Sequence, residues 1–164
     1  AGRYMKAYRD LKEKYTFLEM CKTPELATEV TLQPLKAMEV DAAIIFADIL
    51  LPLEPMGLGL EFTAGDGPVV PRPISGPKDV ENIRPVNPDE QLGFVADAIR
   101  LARKEIDGKL PLIGFAAAPF TLCSYMVEGG KGENAFQVCL AQCEKGAQQD
   151  SQQCKGHKHT SMLL

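Results

Sequence analysis

Asp41-Ala-Ala-Ile-Ile-Phe-Ala-Asp-Ile-Leu-Leu51 is the stretch whose reading decides the fold. Its centre, Ala42 to Phe46, is continuously apolar and partly β-branched. The alternation that marks a strand with one wet face is missing. A run of this kind fits a strand buried on both faces, as in a parallel sheet. Asp48 stands just past its C-terminal end.

Working outward, Leu110 to Ala116 (Leu-Pro-Leu-Ile-Gly-Phe-Ala) reads as a second buried strand. Between the two lies Asn87-Pro88-Asp89-Glu90, a strong helix start with Asn as N-cap and Pro first. Leu92, Val95, Ile99, Ala102 and Ile106 then fall on one helical face, and Gly108 stops the helix. Parallel strands need such a crossover helix, so the pattern is a βαβ unit. Pro119 to Gly130 follows as a turn and a short helix ending at Gly129-Gly130. Residues 52–85 are rich in Gly and Pro and read as a long surface insertion. Short strands are expected there at Leu58 to Thr63 and Pro68 to Val70.

Upstream, Thr23-Pro24 opens a helix whose stripe is Leu26, Val30 and Leu35, with Pro34 expected to bend or interrupt it. Arg3 to Tyr15 reads as a helix start or an extended arm. The fold class is therefore α/β: about two βα units and an N-terminal helical arm. From Lys131 the chain turns polar and rich in Gln, Lys, Cys and His. Residues 131–164 are expected to form a poorly ordered tail, distinct from residues 1–130.

Composition narrows the function. The 164 residues carry 18 Lys plus Arg against 22 Asp plus Glu, a net charge of -4 that argues against general nucleic-acid binding. No apolar run approaches the roughly 20 residues that span a bilayer. Ala42 to Leu53, the longest, is broken by Asp48 and Pro52. An odd count of five cysteines without a secretion signal points to free thiols in a reducing compartment. The opening at Ala1-Gly2-Arg3, with no Met, reads as that of a fragment.

Asp48 is the first candidate for chemistry, because α/β folds build active sites at the C-terminal ends of parallel strands. A partly desolvated carboxylate there can bind cations or N–H donors; the competing reading is a helix cap or salt bridge. Arg3, after the small residues Ala1 and Gly2, can approach an anion together with backbone amides, or it is a solvated surface group. The Tyr125 hydroxyl can donate to a substrate, or it makes a structural hydrogen bond. Cys139, Cys143, Cys154, His157 and His159 have metal-ligand chemistry but match no standard zinc spacing and lack an apolar core, so no metal site is assigned. Cys123 and Ser124 lack a nearby histidine in sequence and are set aside as nucleophiles. Gly57-Leu58-Gly59 and Gly65-Asp66-Gly67 fail as phosphate loops, since neither opens a helix after a strand.

Several motifs in register resemble the uroporphyrinogen decarboxylase family. They are Ala-Gly-Arg-Tyr-Met-Lys-Ala-Tyr-Arg at 1–9, Thr-Leu-Gln-Pro-Leu at 31–35 and Asp-Ala-Ala-Ile-Ile-Phe-Ala-Asp-Ile-Leu at 41–50. A fourth is Pro-Leu-Ile-Gly-Phe-Ala-Ala-Ala-Pro-Phe-Thr-Leu, running into Ser-Tyr-Met-Val-Glu-Gly-Gly, within 111–130. The resemblance implies a cofactor-free (β/α)₈ barrel, usually a homodimer, that converts uroporphyrinogen to coproporphyrinogen by removing four acetate carboxyl groups. It implies that Arg3 binds substrate carboxylates, that Asp48 gathers pyrrole N–H groups and stabilises a cationic intermediate, and that Tyr125 lines the cleft. It also implies a cytoplasmic enzyme of haem or chlorophyll synthesis, or a plastid one in a photosynthetic eukaryote.

Three departures accompany the likeness. The family's Arg-Gln before Ala-Gly-Arg-Tyr is not in this sequence. Ala117 stands where the family usually has glycine. The family's later serine and histidine contacts lie beyond the match, and a barrel typically takes about 250 residues. The alternatives are a non-catalytic product that associates with a full-length subunit and a barrel methyltransferase of the corrinoid-linked group.

Overall fold

The computed structural model describes residues 3–63 and 67–130. Three helices come first: α1 (Lys6–Lys12), α2 (Phe17–Lys22) and α3 (Pro24–Ala37). Strand β1 (Ala43–Ile44) follows, then a 3₁₀ turn at Leu51–Leu53 and strands β2 (Glu61–Thr63) and β3 (Gly67–Val69). Helices α4 (Pro77–Glu81), α5 (Pro88–Gln91) and α6 (Gly93–Ile106) lead to β4 (Leu112–Ile113) and α7 (Pro119–Glu128).

β1 and β4 pair in parallel, Ala43 with Leu112 and Ile44 with Ile113. Main-chain bonds from Ala43 N to Pro111 O (2.9 Å) and from Ile45 N to Ile113 O (3.0 Å) extend the ladder at both ends. This is the expected βαβ unit, with α6 as the crossover helix. Its sheet face carrying Ile45 packs on α3 and α6 through Ala27, Ala98 and Ala102. Three alanines let the helices approach closely, and the Thr28 hydroxyl donates to the Ala98 carbonyl across the seam (3.2 Å).

The expectation that the first strand is buried on both faces is corrected. Ile44 is 49 % exposed and Ile113 48 %, with Phe115 beside them at 49 %. A parallel strand needs a layer on each face, and among the described residues helices cover one. The apolar run thus records a second face that these residues leave open.

Residues 52–85 are also corrected. They form the expected two short strands, β2 antiparallel to β3 with Glu61 opposite Val69. They do not, however, form a mere surface insertion. Leu53, Leu58, Leu60 and Val70 join Leu50 and Met126 in the largest buried cluster. The end of α7 closes this unit, since Val70 N donates to Gly129 O (2.8 Å) and Ile74 N to Met126 O (2.7 Å). Gly129 takes φ +75°, and a Cβ on Gly130 would lie 3.2 Å from the Pro68 carbonyl oxygen. The Gly-Gly pair is therefore what lets the α7 terminus dock on β3.

α3 runs through Pro34 to Ala37 rather than breaking there. Its packing on α6 outweighs the roughly 3 kcal/mol that an interior proline costs. α1 occupies the N-terminal arm, with Tyr8 buried against Met20 and Val30. α2 was missed: Thr16 and Glu19 form a capping box, with Glu19 N donating to the Thr16 hydroxyl and Thr16 N to the Glu19 carboxylate. At the Asn87 start the Asn87 N–H donates to Gln91 Oε1 (2.8 Å), and the helix restarts at Gly93.

One hydroxyl ties the helical layer to the strand. Thr31 Oγ1 donates to Ala27 O (2.7 Å) and accepts from Phe46 N (2.9 Å). Thr31 is 3 % exposed. Thr31→Val keeps the shape and strands the Phe46 N–H, so urea unfolding should show a loss of about 1–3 kcal/mol. Leu53→Ala, at a fully buried site, should cost about 2–5 kcal/mol in the same measurement.

Candidate active site

Asp48 follows β1 by four residues, and the Thr31 hydroxyl fixes the backbone just before it at Phe46. Asp48 Oδ1 accepts from Leu50 N (2.8 Å). This is a local turn bond, not the helix cap or salt bridge of the competing reading, since the 3₁₀ turn that follows has Leu50 at its N-cap and no side-chain cap, and it occupies one oxygen only. No hydrogen bond to Oδ2 occurs among the described residues. The carboxylate lines an open cleft of about 380 Å³ together with Leu92, Val95, Ile99, Phe115 and Ala117.

That cleft explains part of the α6 stripe. Ala102 and Ile106 are core, as expected. Leu92, Val95 and Ile99 instead make an apolar wall facing Asp48. Burial raises the Asp48 carboxyl above its ordinary range, opposed more weakly by the Leu50 N–H and the Arg3 charge. Ala117 sits on the same wall, so the methyl that stands where the family has glycine adds apolar surface beside the carboxylate.

Arg3 lies over the ring of Phe17, 5.1 Å from its centroid, and lines a neighbouring cleft of about 420 Å³. The two clefts share Ala47 and Phe115. Arg3 makes no ion pair within 4.0 Å among the described residues. Its charge nevertheless acts on Asp48, Tyr8 and Cys21. A guanidinium held by an aromatic face rather than by a carboxylate keeps its donors available for an anion.

The aromatic support was not foreseen. Phe17 meets Phe46 edge-on at 5.6 Å and Phe62 at 4.5 Å, and Tyr8 lies 6.0 Å from Phe46. These rings join α1, α2, β2 and the end of β1 beneath Arg3. Their signal lay in the capping box at Thr16, which would have placed Phe17 at the first position of a helix. Cys21, also unassigned, is buried close enough to feel Asp48. Burial first, and the Asp48 charge second, push its thiol up to about 12, so it stays neutral.

Tyr125 is placed differently. It packs, half-buried, against the cluster of Leu50, Leu53 and Met126, and lines neither cleft described above. Arg3 and Asp48 are thus brought into electrostatic range, while Tyr125 packs on the cluster around Leu50 and is not brought to either cleft. Among the described residues no group of His, Cys, Asp and Glu could hold a metal ion. The cysteines and histidines from Cys139 to His159 lie outside the described residues.

Comparison with known proteins gives this geometry a family. The family model described as uroporphyrinogen decarboxylase matches residues 1–148, past residue 130 where the motifs quoted above stop. A uroporphyrinogen decarboxylase of Sorangium cellulosum is 63 % identical over 134 residues, covering 82 % of this chain and 38 % of that protein. One from Carboxydothermus hydrogenoformans is 56 % identical over 137 residues, covering 84 % and 39 %. The chain spans about two fifths of the length of these curated relatives. Among solved structures, a methyltransferase from Methanosarcina mazei aligns with a TM-score of 0.55 at 22 % identity, over 65 % of this chain and 33 % of that one, a likeness of fold alone. Matched over most of its length, the chain belongs to the uroporphyrinogen decarboxylase family.

Proposed function

We propose that residues 1–130 supply the opening βα units of a (β/α)₈ barrel that decarboxylates uroporphyrinogen to coproporphyrinogen. The observation that carries this reading is Asp48, half-buried on an apolar cleft at the C-terminal end of a parallel strand, with one oxygen uncommitted. Decarboxylation by protonation of a pyrrole carbon makes the ring cationic. A fixed, poorly hydrated carboxylate near the pyrrole nitrogens stabilises that charge where it develops. Asp48 gathers the pyrrole N–H groups and Arg3 clamps a substrate carboxylate; Tyr125, which lines neither of their clefts, would border the substrate only where the rest of the barrel extends the site over α7. No cofactor takes part in this scheme.

The working enzyme is a cytoplasmic homodimer whose remaining strands come from the rest of the barrel. No described helix is long and apolar enough to cross a membrane. The exposed face of Ile44, Ile113 and Phe115 supports a second reading, in which this chain associates with a full-length subunit without catalysis. Co-purification with such a subunit, and no turnover, would favour it.

A chimera tests the first reading. Residues 1–130 followed by the remaining barrel of the Sorangium relative should release coproporphyrinogen from uroporphyrinogen. In that chimera Asp48→Asn should lower kcat by about 10²–10³-fold, and Arg3→Ala should act mainly on KM. A folded chimera without product would overturn the assignment.

The carboxyl also sets a pH signature. Because burial raises its pKa in the folded chain, the folded state holds the proton more tightly than the unfolded state. Stability linked to the group is full below the ordinary carboxylate pKa and is lost as pH rises through the folded value. Asp48→Asn keeps an oxygen for the Leu50 N–H and removes that loss. Its urea midpoint should exceed the parent's at pH 7, and the gap should close near about pH 3.

A further inference from the structure

Residues 52–85 carry a further concavity, apart from the clefts at Arg3 and Asp48. It encloses about 560 Å³, with Met56, Leu58, Arg72, Ser75, Asn82 and Arg84 in its wall. The two arginines are stitched to one short segment. Arg84 N donates to Met56 O (3.1 Å) and Arg72 N to Leu58 O (3.3 Å), the carbonyls on either side of Gly57. Their side chains then return over the glycines of that segment. A Cβ on Gly57 would lie 3.9 Å from Arg84 Nε, and one on Gly59 would lie 3.8 Å from Arg72 Nη2. Both glycines have positive φ, +98° and +78°, which side chains rarely adopt.

Neither guanidinium has an acidic partner within 4.0 Å among the described residues. Asp79 lines the same concavity, but its Oδ2 accepts from the N–H groups of Ser75 and Gly76 (2.8 and 3.0 Å). Two positive charges therefore face one carboxylate that is already held by backbone. Surface arginines are commonly solvated singly. Two anchored to carbonyls two residues apart, around one concavity and unpaired, form the donor set of an oxyanion receptor.

We propose that the Arg72–Arg84 concavity binds a small polyanion through its carboxylate or phosphate groups. Each guanidinium offers two parallel N–H donors to one oxyanion, and the Ser75 hydroxyl adds a neutral donor. Gly57 and Gly59 act here by allowing the positive φ with which the segment turns beneath the guanidinium groups, not as a phosphate loop. The site stands whatever the role of Asp48.

The test uses the full 164-residue chain. Isothermal titration with inorganic phosphate and, separately, with propane-1,2,3-tricarboxylate should give saturable one-site binding to at least one of them; the tighter ligand identifies the source. Chloride at matched ionic strength should give none. Arg72→Gln and Arg84→Gln should each weaken binding about fivefold or more, and the double variant tenfold or more. Arg103→Gln, on α6, should leave it unchanged. No saturable binding, or an equal loss in Arg103→Gln, would overturn the proposal. Should the variants fail to fold, phenylglyoxal labelling of the parent chain decides. The bound anion must protect Arg72 and Arg84 but not Arg103, and equal labelling with and without it refutes the site.

Discussion

The parallel register of β1 and β4 is the constraint on which the rest depends. Two parallel strands cannot be joined by a tight turn, so the chain must travel the length of the sheet before pairing again. Everything between Phe46 and Pro111 is shaped by that return. Part of it, α6, lies back on the sheet through Ala98 and Ala102 and completes the crossover. The remainder is free to build outward from the C-terminal end of β1, and there residues 52–85 make their own core around Leu53, Leu58 and Leu60. Parallel strands also bring two C-terminal ends to one side, so Asp48 after β1 and Phe115 after β4 line one cleft.

The position of Asp48 follows from two bonds that need no substrate. Thr31 holds Phe46 by its main-chain N–H, and the Leu50 N–H holds Asp48 Oδ1. Between these anchors the backbone has little freedom, and the carboxylate stays against Leu92, Val95 and Ile99 although burial opposes its charge. A mobile aspartate would turn to water. Partial burial pushes its pKa up, so a cation arriving in the cleft meets a carboxylate that water solvates incompletely.

Much of this was legible in the residues. The continuous apolar run at Ala42 to Phe46, the Asn87-Pro88 start and the Gly108 stop were enough to specify a βαβ unit, because each is a local signal with a local cause. What failed to show was burial that depends on partners distant in sequence. Ile44 reads as core by type, yet its exposure depends on whether a second layer exists. Leu58 and Leu60 lie among glycines and prolines, so their burial by Met126 could not be read from their neighbours. At the site, Asp48 was visible from its place after a strand, whereas Phe17 as the platform for Arg3 required knowing where α2 meets the end of β1.

The motif residues near the site therefore divide into those that face the cleft and those that hold them there. Thr31, from Thr-Leu-Gln-Pro-Leu, lies in the wall of the Arg3 cleft, but its hydroxyl is spent on Ala27 and Phe46. Gly129 and Gly130, from Glu-Gly-Gly, secure α7 to β3 and so fix the helix that carries Tyr125. Arg3 and Asp48 present charge. Such a division is what electrostatic stabilisation of a developing cation requires, since a carboxylate that relaxes toward the substrate during reaction loses part of its advantage to reorganisation. In the proposed mechanism, rigidity supplied by these hydroxyl and glycine contacts matters as much as the carboxylate they support.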